Sequence, residues 1–304
     1  MEQKLNSSTN VEHSNETAIT PNPCYVPCGL ELNKIYNESN LDTMKRMPDN
    51  FVDLTVTSPP YDNLRDYKGY SFPFEDIAKE LYRVTKEGGV LVWVVGDACI
   101  DGTESGTSFI QALHFKNIVG FKLHDTMIYH RHGRFPMASR YWQNFEYMFV
   151  FTKGKPKTFN PIKDEKAVGA AGSKIRQLER KKGDNLEFVE TNRVRKEWKA
   201  RGNVWYIPAG HFMHSEKIAF EHPATFPEKL ANDHIVSWSN ENDLVYDPFM
   251  GSGTTAKMAL LNNRNYIGSE ISKEYCEIAE QRLKMCGGLF SNSFQTELSN
   301  EAGT

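Results

Sequence analysis

Val90-Leu91-Val92-Trp93-Val94-Val95 restricts the fold more than any other stretch of this chain. Six consecutive apolar residues are too uniform for a sheet with one wet face, where apolar and polar positions alternate. The run predicts a central strand of a parallel sheet covered on both faces, ending at Gly96-Asp97. Val52 to Thr57 has a similar character, Leu244-Val245-Tyr246-Asp247 runs into an acid, and Asn265 to Glu270 ends in a carboxylate. Further strands are predicted at Lys34–Tyr36, Phe121–His132 and Phe145–Thr152. Between them the spacing predicts helices over Leu41–Met47, Phe74–Lys86, Ser105–Asn117, Phe226–Trp238 and Ser272–Met285. Pro48 stops the first of these, and Gly88-Gly89 the second. Strands alternating with helices point to an α/β fold with a doubly wound, mostly parallel sheet.

The 304 residues suit one α/β domain of moderate size with an insertion, and no run approaches a membrane span. With a polar amino terminus, the expectation is a soluble, cytoplasmic protein without a membrane partner. The net charge of -3 does not advertise nucleic acid, so any basic surface has to be local. It is concentrated between Lys153 and Arg201, where fifteen Lys and Arg face seven Asp and Glu, and little of that segment has a sheet-like period. Trp198, Trp205 and Tyr206 stand at its close. A basic stretch with aromatic residues, inserted between two α/β segments, suits phosphates and bases. The five cysteines are odd in number and scattered, which argues against a disulfide framework. Cys24 and Cys28 lie in a polar tail and read as solvated thiols. His130 and His132 lack a third ligand at a recognised spacing, and His211 and His214 read as polar surface or DNA contact, so no metal is expected.

After the strand at Val52–Thr57 come Ser58-Pro59-Pro60-Tyr61. Two prolines cannot continue a ladder, so the chain must leave the sheet in a rigid turn. In open α/β sheets the carboxyl ends of the strands are where ligands bind. A hydroxyl, a carbonyl and an aromatic ring at that place suit an exocyclic amine. Two oxygen acceptors on its hydrogens free a lone pair otherwise delocalised into a nucleobase, and Tyr61 offers a face for a base taken out of the helix.

Asp247-Pro248-Phe249-Met250-Gly251-Ser252-Gly253-Thr254-Thr255 is a second turn, leading from a strand into a helix. Glycines there allow close backbone approach, and the helix start supplies N–H groups. Glu270, at the end of the next strand, can bind ribose hydroxyls. No lysine follows the glycines and Gly-x-Gly-x-x-Gly is absent, so a cationic sulfonium with an amino-acid tail fits Asp247 better than a pyrophosphate.

Together, Thr-Ser-Pro-Pro-Tyr and Asp-Pro-Phe-Met-Gly-Ser-Gly-Thr-Thr resemble the catalytic and S-adenosylmethionine motifs of the amino-methylating DNA methyltransferases. Their order, catalytic turn first and cofactor loop last, resembles the circularly permuted class called beta. The resemblance implies the S-adenosylmethionine-dependent methyltransferase fold with an inserted target-recognition region. It divides the chain into a disordered polar tail (1–28), a catalytic half (29–152), the insertion (153–215), a cofactor-binding half (216–290) and a polar tail (291–304).

It also implies that Ser58, Pro59, Pro60 and Tyr61 hold the target base. Asp247, Pro248, Phe249, Gly251, Gly253, Thr254 and Glu270, with Thr225 and Phe226, would hold the cofactor. For double-stranded DNA the candidates are Arg65, Arg134, Arg140, Lys174, Arg176, Arg180, Lys181, Lys182, Arg193 and Arg195. The implied activity is base flipping and direct methyl transfer from S-adenosylmethionine, with no metal, to the 4-amino group of cytosine. Adenine N6 is the alternative, and RNA, protein glutamine and a binding-only module are further ones. A cognate restriction endonuclease is open as a partner, and monomer and homodimer are both open. Asn37-Glu38-Ser39 stands where the family often has Asn-Gly-Asp, which puts an acidic cofactor contact there in doubt.

Overall fold

A computed structural model describes residues 29–60, 72–131, 140–180, 186–208 and 227–287. The first half runs β1 (Lys34–Tyr36), α1 (Asn40–Arg46), β2 (Val52–Thr57), α2 (Phe74–Val84) and β3 (Thr85–Val95), then the two-residue strands β4 (Cys99–Ile100) and β5 (Thr103–Glu104), α3 (Thr107–His114), β6 (Lys122–Arg131) and β7 (Phe145–Thr152). The basic region contributes β8 (Glu165–Lys166), β9 (Lys174–Arg180), β10 (Leu186–Val194), β11 (Trp198–Lys199) and β12 (Val204–Ile207). The second half is α4 (Glu228–Trp238), β13 (Leu244–Asp247), α5 (Thr254–Leu261), β14 (Asn265–Ser269) and α6 (Lys273–Gly287).

Eight strands form one sheet in the order β1-β14-β13-β2-β3-β7-β6-β12. Every pairing is parallel except the two made by β7, which runs against both neighbours. Side chains alternate across the sheet, so β3 feeds two cores. Val90, Val92 and Val94 pack with Leu230, Ile235, Ala256 and Ala279 from α4, α5 and α6. Leu91, Trp93 and Val95 pack with Met44, Ile77, Leu81, Ala112 and Phe115, on the side of α1, α2 and α3. Helices from the first half cover one face and helices from the second half cover the other. This is the doubly wound, mostly parallel α/β sheet that the uniformly apolar Val90–Val95 run predicts.

Several boundaries differ from the sequence reading. The second helix stops at Val84 instead of Lys86, and the strand begins at Thr85, ahead of the glycines. Thr85 turns its hydroxyl back to the Leu81 carbonyl at 2.5 Å, which ends the helix early. Val52 then pairs with Thr85 but Leu54 with Val90, so residues 86–89 bulge out of the ladder. The bulge is held from outside the strand, where the Gly88 N–H donates to the Lys153 carbonyl at 2.6 Å. The helix predicted over Ser105–Asn117 starts at Thr107 and changes at Phe115 to a π-helical turn through Val119, with Phe115 buried.

The basic region is also more ordered than its lack of period suggests. β9 and β10 form an antiparallel ribbon, β8 and β11 pair beneath it in sequence, and β12 joins the main sheet beside β6. A ribbon exposed on most of its positions has no need of an apolar–polar alternation, so its sequence carries little strand signal.

A methyl group at Gly89 would lie 2.8 Å from Thr85 Cγ2, 2.9 Å from the Lys86 carbonyl oxygen and 3.0 Å from that of Asp53. Two of those neighbours are backbone and cannot rotate away. Gly89→Ala is expected to lower stability by about 1–3 kcal/mol, measured by urea unfolding.

Candidate active site

β2 and β13 are adjacent parallel strands whose continuations diverge: β2 leads to β3 on one side, β13 to β14 on the other. Their carboxyl ends therefore flank the crevice at a topological switch point, where open α/β sheets bind ligands. At that edge Thr57, the last residue of β2, donates its hydroxyl to Asp247 Oδ1 at 2.6 Å. Thr255 donates to the Val56 carbonyl at 3.2 Å, tying α5 to the same strand end. The ladder ends at Thr57; Ser58 follows half-buried, Pro59 buried and Pro60 half-buried. Tyr61 lies outside the described residues.

Asp247 is 1 % exposed. Burial pushes its carboxyl up to about 6, against the opposing pull of hydrogen bonds from Thr57, Thr255 and the Phe249 N–H. Glu270 is raised as well, by burial first and by the charge of Asp247 among the lesser causes; the hydrogen bonds it accepts from Ser272 and Gly251 oppose the shift. The Gly251 N–H donates to Glu270 Oε2 at 2.9 Å and the Ser272 N–H to Oε1 at 2.8 Å. Asn37 holds the same corner by donating to the carbonyls of Glu270 and Ile271, at 2.9 and 3.0 Å. The site is thus acidic and largely dry, a setting that a cation or a group of hydroxyl donors relieves.

The rest of the glycine turn is shaped from behind. Pro248 is buried and its carbonyl accepts from Asn40 at 3.2 Å. Phe249 packs edge-on against Phe72 and Trp93, with ring centroids 5.6 and 6.2 Å away. Gly253 has φ +81°, and a Cβ there would meet the Ala279 Cβ at 2.8 Å, so the close approach of α6 requires this glycine. Thr254 accepts a hydrogen bond from Arg282 at 3.2 Å, which turns its hydroxyl into the protein. Glu38 receives Thr43 and Arg46 and faces α1.

Sequence reasoning missed the ion network beneath this turn. Arg282 is fully buried and donates to the Ser252 carbonyl at 2.6 Å and to Glu228 at 2.6 Å. Lys257 reaches the same Glu228 oxygen at 2.8 Å. One carboxylate from α4 therefore gathers cations from α5 and α6 under the glycine turn. A signal was present: Arg282 lies seven residues after Tyr275, on the inward stripe of an amphipathic helix, where a charge needs a partner.

The described DNA-binding candidates are held in different ways. Arg140 is held by the Gly102 carbonyl and lies 3.8 Å from Glu104. Arg195 donates to the Val168 carbonyl and to Ser173, folding the insertion on itself. Lys174, Arg176 and Arg180 lie on β9, and Arg193 is exposed at a bulge in β10. Arg65, Arg134, Lys181, Lys182, Thr225 and Phe226 are outside the described residues, as are Cys24, Cys28, His132, His211 and His214. Among the described residues no three His, Cys, Asp or Glu are grouped to hold a metal ion. His130 instead meets Asn144 at 2.8 Å and the Tyr206 ring at 4.9 Å. No helix among the described residues is long and apolar enough to cross a membrane.

Residues 52–281, spanning both turns, match a family described as DNA methylase, of the N6/N4 type. This chain belongs to that DNA methylase family. Its similarity to the orphan methyltransferase M.BamHII of Bacillus amyloliquefaciens is 62% identity over 237 residues, covering 77% of this chain and 89% of the relative. The fold is also that of the cytosine-N4-specific PvuII DNA methyltransferase, with a TM-score of 0.60 at 20% identity over 82% of this chain and 85% of the other. A second solved neighbour is M1.HpyAVI in complex with SAM, with a TM-score of 0.52 at 23% identity over 82% of this chain and 99% of that one. The protein is accordingly a DNA methyltransferase of the amino-methylating type.

Arg282→Met would remove the donor that holds Ser252 and leave Glu228 with fewer cations. It is expected to cost about 3 kcal/mol in urea unfolding.

Proposed function

We propose that the chain transfers a methyl group from S-adenosylmethionine to the 4-amino group of a cytosine flipped out of duplex DNA. The observation that carries the reading is the 2.6 Å hydrogen bond from Thr57 to Asp247, because it joins the Ser-Pro-Pro turn to the glycine turn at one crevice. Those two residues are 190 positions apart, with the proline turn first, and this supports the permuted arrangement. A buried and a half-buried carboxylate, both with raised proton affinity, fit a cationic, ribose-bearing cofactor. In that reading Asp247 faces the positive end and Glu270 the ribose hydroxyls. Gly251 orients Glu270 through its N–H, and Pro248, Phe249, Gly253 and Thr254 hold the loop in shape. Thr225 and Phe226 complete the set from the segment before α4.

When bound, S-adenosylmethionine supplies the methyl group. The chain supplies positioning. Ser58 Oγ and the Pro59 carbonyl accept the two hydrogens of the target amine, which draws its nitrogen towards a tetrahedral form and frees the lone pair for attack. Pro60 makes the turn rigid, and the Tyr61 ring stacks on the flipped base. A serine hydroxyl is a poor base near neutral pH, so the amine proton leaves after transfer instead of being abstracted by Ser58. Serine before Pro-Pro-Tyr tends to accompany cytosine in the family that the motif resembles, and this supports cytosine over adenine. The orphan designation of M.BamHII supports a role without an obligatory endonuclease.

Incubating unmethylated DNA with the protein and S-adenosylmethionine, followed by nucleoside mass spectrometry, is expected to show N4-methylcytosine. N6-methyladenine would overturn the base assignment and keep the chemistry. No methylated nucleoside would direct the reading to RNA, protein or binding alone. Ser58→Ala is expected to lower kcat by about 10²-fold or more while cofactor affinity stays near wild type. Full turnover in that variant would remove the role given to Ser58.

The raised carboxyl of Asp247 also sets a pH dependence. Because the folded protein holds this proton more tightly than the unfolded chain, Asp247 contributes most to stability at low pH and loses that contribution as pH rises through about 6. A cationic ligand requires the ionised form, so cofactor affinity runs the opposite way. Titration calorimetry is expected to show it falling below about pH 6, by at most about tenfold per pH unit. Asp247→Asn should flatten that profile.

A further inference from the structure

The ribbon of β9 and β10 carries two faces of different character. Arg176 pairs with Glu190, Leu178 with Phe188 and Arg180 with Leu186. Side chains alternate along each strand, so these six share one face. The other face carries Glu179 directly opposite Glu187, a pairing that repels itself and would repel phosphate. It also carries Ile175 and Val189, which are half-buried. On the first face, by contrast, Leu178, Leu186 and Phe188 are 50, 56 and 73% exposed. Three large apolar side chains held in water on a two-stranded ribbon mark a surface that meets a partner.

Charge says which partner. Arg176 and Arg180 bracket the apolar trio, and Lys174 extends the basic row. Glu190, the one acid on the face among the described residues, lies between Lys174 and Arg176 at 3.5 and 3.4 Å. Both contacts are solvent-exposed pairs of little worth, easily exchanged for phosphates. Arg176 and Arg180 are four residues apart, about 13 Å along a strand. The major groove of B-DNA admits a two-stranded ribbon and is about 12 Å wide.

We propose that this ribbon enters the major groove of the substrate duplex. Arg176 and Arg180 meet phosphates on the two walls, and Leu178, Leu186 and Phe188 meet the floor, where the thymine methyl is the apolar feature of the base edges. The inference rests on the reading of duplex DNA as substrate and goes beyond it by naming the side chains that discriminate sequence.

The test uses full-length protein and a duplex carrying the site that wild type methylates, beside the same duplex with one T·A pair replaced. Binding is followed over a range of salt, and cofactor affinity is measured in parallel as the control for folding. Arg176→Ala with Arg180→Ala is expected to weaken both duplexes alike and to reduce the salt slope by about 1.8. Leu178→Ala with Phe188→Ala is expected to keep the salt slope and lose roughly tenfold in discrimination between the duplexes. A third arm needs no variant: deoxyuridine in place of thymine removes only the C5 methyl, and should reduce wild-type affinity.

Wild-type slope and discrimination in both variants would overturn the proposal, as would indifference to deoxyuridine. A changed oligomeric state in the apolar variant, with DNA binding intact, would assign the face to protein contact instead. Should wild type bind no duplex and methylate no DNA, the substrate reading itself fails, which nucleoside analysis separates from failure of the ribbon alone.

Discussion

The contact between Thr57 and Asp247 is the interaction on which the site depends. It is short, buried and made between the last residues of two adjacent parallel strands, so neither end can move without the other. Sheet pairing brings the strand ends within reach. The side-chain bond then sets the proline turn and the glycine turn against each other, and a site of two halves needs that relation to be held to a few tenths of an ångström. The same bond draws the Asp247 carboxyl partway back towards its ordinary proton affinity, against a burial that alone would push it further.

Behind the glycine turn, a second set of interactions does a different job. Glu228, Lys257 and Arg282 bring three helices to one point, and Arg282 extends the network to the Ser252 carbonyl. Buried ion pairs are rarely a net source of stability when weighed against well-packed apolar groups. What they provide is a single arrangement, because each partner left alone would be an uncompensated charge. The N–H groups of the glycine turn are held in one geometry by that kind of constraint. The close packing of Gly253 against Ala279 adds a steric restriction to the electrostatic one.

The two cores divide the labour of the chain. The helices of the first half seal the face that carries Trp93 and Phe115, and those of the second half seal the face beneath α4 to α6. The sheet between them is shared, and the proline turn and the glycine turn both emerge from its centre. The basic ribbon lies in the segment between the two halves, joined to the sheet through β12. Its position allows its sequence to vary with little effect on the cores.

Much of this was legible in the residues, for a physical reason. Uninterrupted apolar runs are best satisfied in a sheet covered on both faces, two prolines end a strand, and glycines before a helix allow a tight turn. Those requirements are local, so Val90–Val95, Ser58-Pro59-Pro60 and Gly251–Gly253 declared themselves. The early end of α2, the bulge at Gly88-Gly89 and the turning of Glu38 towards Arg46 did not, since each is settled by a partner distant in sequence or by a competing hydrogen bond. Arg282 was readable as an anomaly but not as a clamp, because its partners come from α4 and from the turn itself. The sequence by itself determined the strands and helices of the core and the residue types of the two turns. Only the tertiary structure decided that they meet: strand order and long-range pairing place Thr57 beside Asp247, and no local preference encodes that contact.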